Sequence, residues 1–350
     1  MGKIISCKAY DIYINEADAL NTMIQKLNPS RIFVLVDENT GQHCLHHLIA
    51  NLDQPFTTIT IPAGESFKNI DTCKQVWTAL IETKADRKSL LINLGGGVIG
   101  DLGGFCAATY MRGITFIQMP TTLLSQVDAS VGGKLGVDFD GYKNMVGLFS
   151  EPAAVIINTE FLKTLPYKEL LSGYAELLKH GLIADEGIWE QLSSIDDITG
   201  LDFEQVVYDS VKIKKEVTEQ DPTEKGLRKI LNFGHTIGHA IETLSFKTDQ
   251  PLLHGEAIAI GMIMESYLAK EKGFISDDAY EYIKSSIINL YGHKYKSVPK
   301  VDDIIAIMLL DKKNAQGKIM FSLLEEIGKA NFNQEVDYEL IEKARENYMN

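Results

Sequence analysis

Cysteine is scarce in this chain, and the four present are scattered. They stand at positions 7, 44, 73 and 106 and form no Cys-x-x-Cys, which excludes a zinc knuckle and a thiol redox motif and fits a reducing compartment. Long apolar runs are also missing. Nothing is long enough to span a bilayer and no charged-then-apolar leader opens the chain, so a cytoplasmic protein without a membrane partner is expected. Positive charge is in deficit: 34 Lys and Arg stand against 48 Asp and Glu, a net charge of −14. Nucleic acid and anionic membrane are poor partners for such a surface, whereas an anionic small molecule is allowed wherever cations cluster locally. No repeat or low-complexity tract is present, and 350 residues exceed one ordinary core, so two domains are expected.

What is present begins with α/β grammar. Short apolar runs at Ile32–Val36, Thr57–Ile61, Leu90–Leu94 and Thr115–Met119 read as strands, with helical patterns between them and a helix over about 71–83. His43, His46 and His47 read as solvated helix surface. The strand at 90–94 runs into Gly95-Gly96-Gly97-Val98-Ile99-Gly100-Asp101, and a helix is predicted from about Leu102 to Ala108. Glycines 95, 97 and 100 satisfy Gly-x-Gly-x-x-Gly, so backbone N–H groups at a helix start can face a pyrophosphate. The acidic residue expected some twenty positions on is absent, because Pro120 stands there; Asp37, at another strand end, can substitute. A nucleotide-cleaving phosphate loop is excluded, since Gly133-Lys134 is followed by Leu135 and Asp128 stands where that motif begins with Gly. The glycine-rich stretch 126–147 reads as loops lying close to a ligand, with Gly136 and Gly141 as plain turns.

From about residue 160 the strands give way to long helical patterns. The expected division is therefore an α/β Rossmann-like domain over 1–158 and an almost entirely helical one over 159–350, with helices over about 168–184 and 302–310, a possible strand at 318–324 and a peripheral helix from Val336. In the second domain, Arg228, Asn232, His235, His239 and Glu242 fall on one stripe at 100° per residue, and the remaining positions include Leu231, Phe233, Ile237 and Ile241. Solvent-facing stripes carry Lys, Glu and Gln; this one carries a guanidinium, an amide and imidazoles, which bind anions and metals. His254 follows fifteen residues after His239. Two His at i and i+4 are most often packing, but three of the eight His within twenty residues favour a metal site. Thr236 replaces the Glu of His-Glu-x-x-His, so metal-assisted peptide hydrolysis is excluded. On the helix at 168–184, Glu176, Lys179 and His180 share a face, and spacing alone leaves either Glu176 or His180 as the third ligand.

Seven motifs in this order carry a resemblance to a known family: Gly-Gly-Gly-Val-Ile-Gly-Asp, Tyr-Met-Arg-Gly, Pro-Thr-Thr-Leu-Leu, Val-Asp-Ala-Ser-Val-Gly-Gly-Lys, Gly-Tyr-Ala-Glu, Asn-Phe-Gly-His-Thr-Ile-Gly-His and His-Gly-Glu-Ala-Ile-Ala-Ile-Gly-Met. Over nearly its whole length the chain resembles the 3-dehydroquinate synthases of the shikimate pathway, which leads to aromatic amino acids. The resemblance implies a homodimer with an NAD-binding Rossmann-like domain, a helical domain and a divalent metal, Zn2+ or Co2+. The implied substrate is 3-deoxy-D-arabino-heptulosonate 7-phosphate, and the implied chemistry is that of a phosphate-eliminating carbon–oxygen lyase.

Carried over by position, the resemblance assigns Glu176, His235 and His254 to the metal. It assigns Asp37, Asn39, Glu65, Lys68, Gly97, Gly100, Asp101, Thr121 and Thr122 to NAD. Lys134, Lys214 and Arg228 match the residues that bind the substrate carboxylate. Asn144, Lys179, Asn232, His239, Lys318 and Arg112 match those that bind its phosphate, Arg112 coming from the partner subunit. Asp128 joins the catalytic group, and Lys143, from the same loop, the NAD set. A cation set with two ends suits a substrate with a carboxylate at one end and a phosphate at the other, because buried like charges need anions to pair them. The alternatives are another sugar phosphate cyclase, whose substrate lacks the carboxylate, and a metal-dependent polyol dehydrogenase, which performs net oxidation.

Overall fold

The computed structural model describes residues 2–140, 142–292, 298–310 and 319–350. It divides into two compact units, 1–170 with 202–215, and 171–201 with 216–350.

The first unit holds strands β1 (Lys3–Ser6), β2 (Asp11–Ile14), β3 (Ile32–Asp37), β4 (Thr57–Ile61), β5 (Leu90–Gly95), β6 (Thr115–Pro120), β7 (Lys134–Phe139), β8 (Tyr142–Phe149) and β9 (Ala154–Ile157). Its helices are α1 (Ala19–Leu27), α2 (Glu38–His43), α3 (Leu45–Asn51), α4 (Ile70–Glu82) and α5 (Gly97–Thr109). Seven strands form one sheet in the order β1-β2-β9-β6-β5-β3-β4, parallel except for β1 against β2. The apolar runs of β3 and β5 are explained by cores on both faces: α1 and α3 pack on one side, α4 and α5 on the other. From β3 the chain goes to β4 on one side, then returns to β5 and β6 on the other. The carboxyl ends of β3 and β5 therefore flank a reversal of strand order, where α/β sheets take ligands.

Three expectations change here. Helix α5 starts at Gly97 rather than near Leu102. Its glycines, each about 1 kcal/mol poorer than Ala in a helix, mask the first turns in sequence. Tertiary packing requires some of them, since a Cβ on Gly103 would lie 2.2 Å from Asn93 Oδ1 and one on Gly104 2.4 Å from a Leu135 methyl. The stretch 126–147 is also more ordered than loops. It forms a π-turn at Ser125–Ala129 and the antiparallel hairpin β7–β8, with Gly132 and Gly133 at φ +96° and +64° before it. Gly136 lies within β7, and Gly141 lies outside the described residues. His43 and His46 are exposed, as expected, while His47 is half-buried edge-on to Phe161.

Chain order continues with α6 (Tyr167–Ala184), α7 (Glu186–Ser193), α8 (Phe203–Gln220), α9 (His235–Ser245), α10 (His254–Glu271), α11 (Asp277–Tyr291), α12 (Val301–Leu310), β10 (Met320–Glu326), β11 (Lys329–Glu335) and α13 (Tyr338–Met349). The second unit is helical as expected; the strand expected at 318–324 is β10, which starts at Met320 and pairs with β11 in an antiparallel hairpin. Glycine contacts fix how its helices cross. A Cβ on Gly261 of α10 would lie 1.9 Å from the Gly234 carbonyl oxygen, and one on Gly255 1.9 Å from that of Ser172 in α6. Helices α6, α9 and α10 thus approach at backbone distance. The C-terminal α13 is less peripheral than expected, because Ile341, Ala344 and Tyr348 are buried.

Candidate functional site

The stripe running from Arg228 to Glu242 is not one helix. Residues Leu227–Asn232 form a 3-10 segment, the chain breaks at Phe233 and Gly234, and α9 begins at His235. The break follows from packing: Gly234 adopts φ +77°, and a side chain there would meet Met262 at 2.6 Å. Gly234 provides no capping side chain. Instead Glu265, fully buried on α10, accepts the N–H groups of Gly234 (2.7 Å) and Ile237 (3.0 Å). A carboxylate at a helix N-terminus also complements the helix dipole.

His235 and His254 are each the first residue of a helix, α9 and α10, while Glu176 comes from α6. Glu176 is fully buried, and its Oε1 lies 3.4 Å from Nε2 of His235 and 3.6 Å from Nε2 of His254. Its Oε2 ion-pairs with Lys179, which is 1 % exposed. The other ring nitrogens are committed: Nδ1 of His235 is 3.0 Å from the Phe233 carbonyl, and Nδ1 of His254 is 3.3 Å from Oε2 of Glu242. Carbonyl and carboxylate oxygens only accept, so both Nδ1 atoms carry hydrogen and both Nε2 atoms turn toward Glu176. Burial alone would raise the Glu176 pKa, but Lys179 and His235 outweigh it and hold the carboxyl well below its usual range. His235 is lowered by burial and by Lys179 against the pull of Glu176. For His254, burial is outweighed by the hydrogen bonds to Glu176 and Glu242, which raise it to about 9.

This geometry fits a cation. Zinc bonds of about 2.0–2.1 Å in a tetrahedron put ligand atoms about 3.3–3.4 Å apart, close to the spacings at Glu176 Oε1. His239, one turn along α9, offers a ring nitrogen within 4.8 Å of those of His235 and His254. His180, the other ligand that spacing allowed, is buried on α6.

Arg228 is 2 % exposed; its Nη1 donates to the Pro222 carbonyl (2.9 Å) and its backbone N–H to Asp221 (3.1 Å). Asn232 donates to Glu224 (2.7 Å). The β10–β11 hairpin braces this segment through Ser322 Oγ to the Lys229 carbonyl (2.6 Å) and Lys229 Nζ to Asn333 (2.9 Å). Lys318 lies outside the described residues.

The first unit carries its own constellation at the carboxyl ends of its strands. Asp37 ends β3 and caps α2, accepting the Thr40 N–H at 2.8 Å, with exposed Asn39 next in that helix. Gly97 and Gly100 occupy the first turn of α5. Thr121 follows β6, its N–H on the Gly95 carbonyl (3.0 Å), and Thr122 hydrogen-bonds Ser125. A Cβ on Gly97 or Gly100 would meet the chain only at ordinary contact, 3.7 Å from Ala129 and 3.5 Å from Gln118. Packing does not demand glycine at these two positions, whereas a dinucleotide pressed against the backbone would.

Buried Lys68 joins Asp101 (2.5 Å) to Asn144 (2.7 Å), and Asp138 accepts the Asn144 N–H (2.7 Å) where Asn144 turns left-handed at φ +50°. Burial raises Asp101 in spite of Lys68. Lys143 sits 3.7 Å from Glu65, and Lys214 of α8 binds both the carboxylate (2.5 Å) and the carbonyl of Asp128. Lys134 opens β7, exposed. Arg112 is exposed on a turn with Met111, Arg112 and Gly113 at φ +51°, +70° and +112°. Asp138 and Glu265 were missed in sequence, because each acts through a backbone N–H brought to it by folding. Glu242 stood on the stripe, and that position was its signal.

Comparison with solved structures places the fold among the sugar phosphate cyclases. A 2-deoxy-scyllo-inosose synthase complexed with carbaglucose-6-phosphate, NAD+ and Co2+ superposes with a TM-score of 0.84 at 23 % identity, covering 98 % of this chain and 99 % of that one. A 2-epi-5-epi-valiolone synthase from Streptomyces hygroscopicus subsp. jinggangensis, with NAD+ and Zn2+ bound, gives 0.84 at 26 % identity, over 99 % and 98 %. Residues 58–172 match the 3-dehydroquinate synthase N-terminal family and 173–314 the 3-dehydroquinate synthase C-terminal family. The 3-dehydroquinate synthase of Parabacteroides distasonis is 39 % identical over 350 residues, 99 % of this chain and 97 % of that protein. The chain belongs to the 3-dehydroquinate synthase family.

Proposed function

We propose that this protein converts 3-deoxy-D-arabino-heptulosonate 7-phosphate into 3-dehydroquinate and inorganic phosphate, acting as an NAD- and divalent-metal-dependent carbon–oxygen lyase. The observation that carries the reading is the carboxylate of Glu176 facing Nε2 of both His235 and His254 beside buried Lys179. Family membership and the zinc-bound relative at 26 % identity support the same reading. We read 1–158 as the NAD-binding domain and 159–350 as the metal- and substrate-binding domain.

Glu176, His235 and His254 would hold Zn2+ or Co2+, which when bound acidifies substrate hydroxyls as a Lewis acid. Asp37, Asn39, Glu65, Lys68, Gly97, Gly100, Asp101, Thr121, Thr122 and Lys143 would hold NAD, which when bound would supply reversible hydride transfer at C5 of the substrate. The remaining roles belong to the chain's own side chains. Arg228, Lys134 and Lys214 bind the substrate carboxylate, Arg228 through a planar fork suited to it and Lys214 by exchanging its present partner, Asp128. Lys179, Asn232, His239, Asn144, Lys318 and Arg112 bind the phosphate and orient it for departure from C7 once C6 has lost its proton. That proton goes to the departing phosphate or is relayed by His239. The assembly is read as a homodimer, with Arg112 on its exposed left-handed turn reaching the neighbouring subunit's substrate, and the protein as cytoplasmic. Among the described residues, no helix is long and apolar enough to cross a membrane.

The test is substrate deuterated at C5. The label stays in the product, phosphate appears in step with the carbocycle, and absorbance of NADH never exceeds the enzyme concentration. NADH that builds up over many turnovers would instead identify a dehydrogenase.

A further inference from the structure

Helices α9 and α10 exchange buried carboxylates. Glu265 of α10 holds the N-terminus of α9, where His235 sits, and Glu242 of α9 reaches the first residue of α10, which is His254. Glu242 is 4 % exposed and its Oε2 lies 3.3 Å from Nδ1 of His254. Burying a carboxylate is expensive unless a partner compensates. The two ligand imidazoles are steadied in different ways. His235 leans on the carbonyl of Phe233, within the break that Glu265 clamps, whereas His254, likewise at a helix start, has Glu242 against its ring.

We propose that Glu242 is a positioning residue of the metal site: by accepting the Nδ1–H of His254 it holds the imidazole with Nε2 toward Glu176 and makes it a stronger ligand. The proposal rests on the reading of Glu176, His235 and His254 as cation ligands. Glu242 itself touches neither cation nor substrate. It acts through the ring, as outer-shell carboxylates do when they fix the tautomer and raise the basicity of a ligating histidine.

The experiment strips the full-length protein with a chelator, then titrates it with zinc against a chromogenic competitor and with cobalt(II) by visible absorption. Wild type binds one equivalent of either ion. Glu242→Leu, which removes the acceptor, lowers zinc affinity about 100-fold and shifts the cobalt bands; Glu242→Gln, which keeps an acceptor oxygen without the charge, lowers affinity about tenfold and largely retains the spectrum. Asp337→Ala, which removes the cap of α13, lowers the melting temperature and moves neither readout. Wild-type zinc affinity and an unchanged cobalt spectrum in the Glu242 variants overturn the positioning role, even if their melting temperatures fall. If Glu242→Leu does not fold, Glu242→Gln decides, and wild-type affinity in it overturns the proposal. A wild-type protein that binds neither ion stoichiometrically overturns the metal reading and this proposal with it.

Discussion

The two candidate regions are built from different materials. Around α5 the site is largely backbone: glycines without side chains, N–H groups at a helix start, and one buried Lys68–Asp101 pair at the rim. Around α6, α9 and α10 it is side chain throughout, with a carboxylate and an ammonium fully buried and imidazoles buried or half-buried beside them. Backbone sites tolerate changes that leave the backbone alone and fail when a methyl group intrudes. Side-chain sites fail when a single charge is removed, because the partners left behind are buried.

The largest effect expected from this contrast is at Glu176. Glu176→Ala leaves Lys179 as an uncompensated buried charge, so stability falls by about 3–5 kcal/mol. Turnover should fall about a thousandfold with it, as loss of several kcal/mol of Lewis-acid assistance implies. Denaturant unfolding with and without added zinc measures the first, and phosphate release the second. A variant as stable as wild type would show that the second unit does not depend on this charge.

Arg228→Ala should weaken capture of the carboxylate-bearing substrate by about 1.5–3 kcal/mol, the range of a charge-assisted hydrogen bond. Steady-state kinetics provide the check. Unchanged KM together with unchanged kcat would remove Arg228 from the substrate site.

Two alanine substitutions on one helix sharpen the comparison further. Gly103→Ala drives a methyl group against Asn93 and Leu35 and should lose about 1–3 kcal/mol of stability. Gly100→Ala, with its nearest neighbour at 3.5 Å, should fold at least as well as wild type while binding NAD more weakly. Melting curves alongside NAD titration separate the two. Equal NAD affinity in Gly100→Ala would show that the first turn of α5 does not lie against the dinucleotide.

The smallest effect concerns acid. Burial tends to raise Asp221, but the N–H groups of Gly226, Lys225 and Arg228 outweigh it and hold its pKa below 3.8. Its contribution is therefore fully present above about pH 3.8 and is lost as pH falls through the lower folded value. Burial raises Asp101 instead, so falling pH does not weaken the fold through that group. Acidification toward pH 3 should loosen amides 225–228 while leaving the α5 turn protected, read by hydrogen exchange corrected for its intrinsic rate. Simultaneous loss of both regions would erase the distinction.

Much of this was legible in the residues. The strands at 32–36, 90–94 and 115–119 stand where their apolar runs put them, because strands buried on both faces have few alternatives, and the edge strand at 57–61 follows from its alternation of Thr and Ile. The glycine loop was visible for the same local reason: strand, turn and helix are contiguous in sequence. Harder to see were β1, β2 and β9, short edge-side strands whose partners lie more than a hundred residues away in part. The hairpin β7–β8 was hidden behind its glycines.

The sequence by itself determined the α/β and helical halves, the family motifs and the residue types available for chemistry, because those depend on periodicity and on neighbours a few positions apart. Tertiary structure alone decided how the groups are used. It broke the Arg228–Glu242 stripe at Gly234, since helix α10 passes at backbone distance there. It turned Glu176 toward two imidazoles through contacts at Gly255 and Gly261, and it set Glu242 behind His254. A helical repeat specifies which side chains share a face. What that face meets is settled by close packing between segments distant in the chain, which no local pattern encodes.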